Sequence, residues 1–230
     1  NLDLNGGNPG TGFNTTFAAG GAAVRITGDG LDINDIDSET MQSATVVIIN
    51  RKNGAKETLA ANTTGTNIEA SYSSANGALT LEGTDTIANY EKVLRTVTYR
   101  IDADVTNPDP AVRSIQFNVY DGTDISDDAF ANVDVIVPRI EITVTPPLQT
   151  VIPNTSAFFF VDIKNTGDVA LNSIQVTSAA VPNCNRTFST LAAGASITRY
   201  SCSIANVTQR VDNVVTVTAI DALSNTQVSA

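Results

Sequence analysis

The chain has 230 residues, no histidine, no tryptophan and two cysteines, with 24 acidic against 13 basic side chains. Loss of histidine removes the commonest general base and transition-metal ligand, and two cysteines without histidine do not make a four-ligand zinc site. The acidic balance excludes nucleic acid and anionic membrane surfaces as partners, because both demand a basic footprint.

Charge divides the chain. Residues 1–138 hold 19 acidic and 8 basic side chains, whereas residues 139–230 hold 5 of each. We therefore expect two domains, 1–138 and 139–230. Alanine, threonine, asparagine, serine, valine and isoleucine dominate, a composition of sheets and turns. Short strand signals recur with turn residues between them, as in antiparallel sandwiches. The expected class is all-β, with two tandem sandwiches.

In chain order the first domain reads as strands over 14–17, 23–27, 44–50, 68–73, 78–83, 96–101, 114–120 and 130–137. Asn53-Gly and Asn76-Gly mark turns. One short helix is expected near 85–94, capped by Thr84 or Asp85, with Ile87, Tyr90 and Leu94 on one face. The second domain reads as strands over 140–145, 157–164, 173–178, 187–191, 196–204 and 213–220, then a barely begun strand at 226–230. Alternation through Phe158-Phe159-Phe160 is expected to bury two of the three rings. Cys184 and Cys202 form an even pair suited to a disulfide in an oxidising, extracellular setting. No apolar run approaches the roughly 20 residues of a membrane helix, so no membrane insertion is expected. The chain begins with Asn and carries no leader pattern, as expected of a processed form or an excerpt.

The sharpest feature is acidic. Asp29–Glu39 carries five carboxylates and no basic residue, and Asp121, Asp124, Asp127 and Asp128 form a second knot. Such density repels itself unless a hard cation neutralises it, and Ca²⁺ takes 6–8 oxygen ligands. In a seven-strand sandwich the two loops share a pole with the start of the chain, Asn1–Asn5. Asp35 and Asp37, two apart in an extended loop, can point the same way. Asp35, Asp37 and Asp121 are the expected first ligands, with Asp3, Asp29, Glu39 and Asp124 as candidates for the rest. The bland alternative is a solvated acidic face.

Residues 2–138 resemble the cadherin-like repeats of large prokaryotic surface proteins. The resemblance rests on Leu2-Asp-Leu-Asn5, Gly21-Ala-Ala-Val24, Asp35-Ile-Asp-Ser38, Ile87–Tyr99 and Val119-Tyr-Asp-Gly122. It implies calcium ligation by Asp35, Asp37 and Asp121. It departs at the exit, where Ile136–Ile142 lacks the acidic linker that binds calcium between true cadherin domains. Residues 140–230 resemble the immunoglobulin-like repeats of prokaryotic envelope and S-layer-associated proteins, through Lys164-Asn-Thr-Gly167, Val181–Cys184, Leu191–Thr198 and Asn213–Ala219. Such repeats close with a further strand beyond the one holding Val217, which here would be missing. Either the next segment of a longer protein or a neighbouring subunit would supply it.

These resemblances imply a non-enzymatic structural or adhesive module at a prokaryotic cell surface. Its partners would be neighbouring modules, or copies of itself in a homopolymer built by donor-strand addition, with Asn1–Phe17 as donor. A third reading is recognition of a host or surface protein or a glycan, although aromatic platforms for sugars are scarce.

Overall fold

The computed structural model describes all residues 1–230, and its regular structure is almost wholly strand, with one short α-helix and two single 3₁₀ turns. It is all-β, as the composition requires. Two compact units emerge, Asn1–Val135 and Ile136–Ala230.

The first unit contains β1 (Leu2–Asp3), β2 (Phe13–Ala18), β3 (Val24–Arg25), β4 (Asp32–Ile33), β5 (Thr40–Ile48), β6 (Glu57–Ala60), β7 (Glu69–Ser73), β8 (Ala78–Thr86), helix α1 (Ile87–Leu94), β9 (Thr98–Ile101), β10 (Arg113–Tyr120) and β11 (Ala129–Ile136). One sheet runs β2-β11-β10-β5-β8-β7, a second runs β3-β9-β6, and β1 pairs with β4 alone. The pairings of β1 with β4, of β3-β9-β6 and of β11-β10-β5-β8-β7 are antiparallel. Period-two alternation sets the faces: along β10 and β11, Ile115, Phe117, Ala131 and Val133 point inward and are fully buried. Phe17 and Tyr99 meet edge to face at 5.6 Å in the middle of this core.

The helix begins later than its sequence suggests. Thr84 and Asp85 stay in β8, where the β-branched run pairs with β5 (Thr40 opposite Thr86, Met41 opposite Asp85). Thr86 is the N-cap, its hydroxyl accepting from the Asn89 amide at 3.3 Å. Tyr90, Val93 and Leu94 are buried under the helix, while Ile87 is only half-buried.

The second unit contains β12 (Ile140–Thr145), β13 (Thr155–Asn165), β14 (Leu171–Ser178), β15 (Arg186–Leu191), β16 (Ser196–Val207), β17 (Val215–Asp221) and β18 (Gln227–Ser229). Its sheets are β12-β13-β16 and β15-β14-β17-β18, the two layers of an immunoglobulin-like sandwich. Val161 and Ile163 of one sheet pack with Ile174, Val176 and Val217 of the other. Cys184 and Cys202 are joined in a disulfide with Cα atoms 4.9 Å apart, linking the turn before β15 to β16. Buried Asn165 organises the turn after β13: its Nδ2 donates to the carbonyls of Val169, Leu191 and Ala192, and its Oδ1 accepts from Gly167.

Two readings change here. Only Phe159 of the phenylalanine run is buried. Phe158 and Phe160 share the opposite face of β13, are 58% and 42% exposed, and Phe160 lies under the Arg199 guanidinium. A central odd residue in a period-two run buries one ring, not two. Asn1–Phe17 is also no free donor strand. Leu2, Leu4 and Phe17 are at most 1% exposed in the first core, and Phe13–Ala18 form β2 at a sheet edge.

Candidate metal centre

The loop between β4 and β5 and the turn after β10 converge at one end of the first unit. The chain's start is stitched to the first of them. The Asn1 ammonium donates to the Asn34 carbonyl at 2.7 Å, and the Asn34 amide donates back to the Asn1 carbonyl at 2.9 Å. From behind, Glu91 of α1 accepts from the Ile33 amide at 3.0 Å, while Arg95 ties Glu91 to the Leu31 carbonyl. The helix thus fixes the strand from which Asp35 projects. Sequence reasoning missed this support, although Glu91 and Arg95 at i,i+4 were its visible signal.

Asp35, Asp37 and Asp121 come together here, with one carboxylate oxygen of each lying within 4.8 Å of the others. Asp35 and Asp121 are half-buried and Asp37 is exposed. They line a recess of about 220 Å³ shared with Asn1, Asp124 and Ser126. Ile36 and Ile125 stand on its rim, 98% and 64% exposed.

The electrostatics differ across the triad. The Asp37 carboxyl is held above its ordinary range, first by a hydrogen bond shared with Asp35, then by the Asp35 charge and, less, by Asp121. Two close carboxylates resist ionising together, and a cation between them would remove that resistance. Asp121 goes the other way. Its Oδ1 accepts from the amides of Asp124 and Thr123, both at 2.7 Å, which favours the ionised form. Gly122 enables this turn: its φ is +109°, and a Cβ there would fall 2.2 Å from the Gln42 side chain.

The remaining candidates are placed as follows. Asp124 lines the recess. Asp3 lies elsewhere, in β1, with its Oδ1 taken up by the amides of Asn5 and Gly6 at 2.9 and 3.1 Å. Asp29 turns to Arg25 at 2.6 Å, and that guanidinium lowers its pKa. Glu39 stands outside the recess, just before β5, where its carbonyl accepts from the Ile87 amide. An Asx turn claims the Asp3 carboxylate and an ion pair that of Asp29, while Glu39 is simply not among the residues lining the recess.

No protein-family profile matches the chain. Among curated proteins, halomucin of Haloquadratum walsbyi is 38% identical over 85 residues, which is 35% of this chain but 1% of that protein. Among solved structures, the C-terminal domain of the Streptococcus agalactiae AgI/II polypeptide BspA aligns over 81% of this chain and 82% of its own, at 8% identity and TM-score 0.33. The N-terminal eight immunoglobulin domains of the Down syndrome cell adhesion molecule align over 95% of this chain and 24% of theirs, at 13% identity and TM-score 0.23. Likenesses this loose carry no statement about activity.

Proposed function

We propose that this chain is a non-enzymatic structural or adhesive module of an extracellular surface protein, stiffened by Ca²⁺ at the end of its first unit where the chain starts. One observation carries the reading: three carboxylates from two separate loops converge within 4.8 Å, beside the stitched first residue. Their chemistry fits a hard cation. Three carboxylates supply three of the 6–8 oxygens that Ca²⁺ takes, and the open recess leaves room for Asp124, main-chain carbonyls and water. Mg²⁺ fits less well, since it keeps its own water and seldom uses dedicated protein cages. Bound there, the ion would tie two loops to one another beside the start of the chain, a mechanical effect. The disulfide supports an oxidising location, and the resemblance to cadherin-like repeats supports the ligand set.

Titration calorimetry of Ca²⁺ into the whole chain tests this. One saturable event is expected, abolished by Asp35→Asn or Asp121→Asn and unaffected by Asp29→Asn. Absence of binding by the parent chain at millimolar Ca²⁺ refutes the site.

A second reading, assembly into filaments by strand addition, is favoured by an open apolar groove in the second unit. The donor in that reading is not Asn1–Phe17, whose leucines and phenylalanine lie in the first core. Filaments by negative stain at micromolar chain would support it, and a monomer alone would overturn it.

A further inference from the structure

Asn14, Asn62, Asn154, Asn185 and Asn206 each begin an Asn-x-Ser/Thr triplet with no proline in the middle, the acceptor signal for N-linked sugar. A chain rich in asparagine and threonine makes such triplets by composition alone, so their placement carries the argument. All five asparagines are exposed. Where their side chains bond, they do so through Oδ1: Asn14 accepts from Asn132 at 3.2 Å, Asn62 from the Thr64 amide at 3.0 Å and Asn185 from the Ser178 amide at 2.7 Å. Nδ2 has no partner in any of the five. Asn50, Asn89, Asn132, Asn165 and Asn183, by contrast, spend theirs on bonds within the fold.

Backbone needs account for the asparagines but not for the hydroxyls. Asn154 and Asn206 take φ of +70° and +52°, which asparagine tolerates better than most residues. Asn62 and Asn185 anchor nearby main-chain amides through Oδ1. None of these roles requires a hydroxyl two places on. Yet Thr16, Thr64, Ser156, Thr187 and Thr208 all keep hydroxyls that bond to nothing in the protein, and all but half-buried Thr16 are exposed. Four of the triplets also share a place in the architecture. Asn14 lies in β2, Asn62 just beyond β6, Asn185 just before β15 and Asn206 in β16, and these are edge strands of four different sheets. An edge strand presents unpaired main-chain groups, which native proteins blunt against pairing with another chain.

We propose that these asparagines carry N-linked glycans, and that the sugars at Asn14, Asn62, Asn185 and Asn206 guard one edge of each sheet. The donor class is a saccharide linked to a polyprenyl phosphate or pyrophosphate. Nδ2 forms the bond to the anomeric carbon, and the bond from that carbon to the phosphate oxygen breaks. The lipid phosphate leaves as its anion, and one Nδ2 proton passes to solvent. A sugar on Nδ2 leaves every Oδ1 contact in place, so the fold accommodates it. Its bulk and hydration keep a second strand from docking on the edge beside it. Asn154 flanks the Asn206 site, its amide donating to the Val207 carbonyl at 3.0 Å. This inference rests on the extracellular reading, because such acceptors are used in secreted chains, and it is independent of calcium.

The test takes the chain from the cells that make it, records where it is found, and maps its peptides by mass spectrometry. Saccharide mass increments are expected on the peptides of Asn14, Asn62, Asn185 and Asn206. Thr16→Ala, Thr64→Ala, Thr187→Ala and Thr208→Ala should each erase the increment at its own site, although every asparagine stays. The variant with all four changes should self-associate several-fold faster than the glycosylated parent, followed by light scattering. Chain found outside the cell with bare asparagines overturns the inference and leaves the surface reading standing. Bare chain found only inside the cell overturns both. Increments that survive the threonine changes, or equal rates of self-association, also overturn the proposal.

Discussion

Replacing Arg113 with methionine should be among the most damaging single changes to the first unit. Arg113 and Glu57 are both fully buried and meet at 2.6 Å between Nε and Oε1. The guanidinium also donates to Asn53 Oδ1 at 2.7 Å, to the Asp109 carbonyl at 2.9 Å and to the Ala111 carbonyl. Methionine fills much of the volume but leaves the Glu57 carboxylate with only the amides of Lys52 and Asn53, at 3.3 and 3.1 Å. Its Oε2 already has no protein partner, and neither has the Tyr99 hydroxyl nearby. Breaking one side of a buried ion pair costs about 3–5 kcal/mol, because the charge left behind is uncompensated. For a unit of this size that is a fall in Tm of roughly 10–25 °C. Differential scanning calorimetry should show it in the first unit's transition alone. The Glu57→Gln, Arg113→Met double variant removes both charges and should lose less than the two singles together, by roughly 1–3 kcal/mol. A loss below about 1 kcal/mol in Arg113→Met, or strict additivity in the double variant, refutes the reasoning.

Two further outcomes follow from the same physics. Reducing Cys184–Cys202, which closes a separation of 18 residues, should cost the second unit about 3 kcal/mol through the freed unfolded chain, and calorimetry with and without reductant should leave the first transition in place. Asp85 accepts from the Asn67 and Thr86 amides and the Asn89 side chain, which hold its pKa below the ordinary value. Its contribution is therefore full above the unfolded pKa near 3.9 and fades as pH falls through the lower folded value. The Tm gap between the parent chain and Asp85→Asn should narrow below about pH 4, and a gap equal at pH 3 and 7 contradicts the assignment.

Strands whose alternation was long and apolar were legible in the sequence. Ile140–Thr145 matches β12, and Ser114–Tyr120 falls within β10. Short pieces that depend on partners were not. β1 and β4 are two residues each and exist through mutual pairing. β6, Glu57-Thr-Leu-Ala60, looks unlike a strand until Arg113 satisfies its buried glutamate. The acidic loops were legible as a charge anomaly, and loop topology was enough to expect Asp35, Asp37 and Asp121 together. Which carboxylates stay out was not legible. Asp29 is claimed by Arg25 four residues earlier, a pair visible in the sequence, but Asp3 is claimed by amides that exist only once the Asn5–Gly6 turn forms. The phenylalanine run shows the limit of period-two reasoning, since alternation fixes that one face goes inward without fixing which.

The central claim is that the recess at Asp35, Asp37 and Asp121 holds Ca²⁺ and stiffens the first unit. Scanning calorimetry of the whole chain in Ca²⁺ and in EGTA tests it most directly, because the two units supply separate transitions. Ca²⁺ at a hundredfold excess over Kd should stabilise the first unit by about 2.7 kcal/mol, raising its Tm by roughly 8–13 °C. The second transition should stay fixed, and Asp37→Ala should abolish the shift. Superimposable traces in Ca²⁺ and EGTA, or a shift that survives Asp37→Ala, would contradict the account and leave the acidic loops as a solvated face.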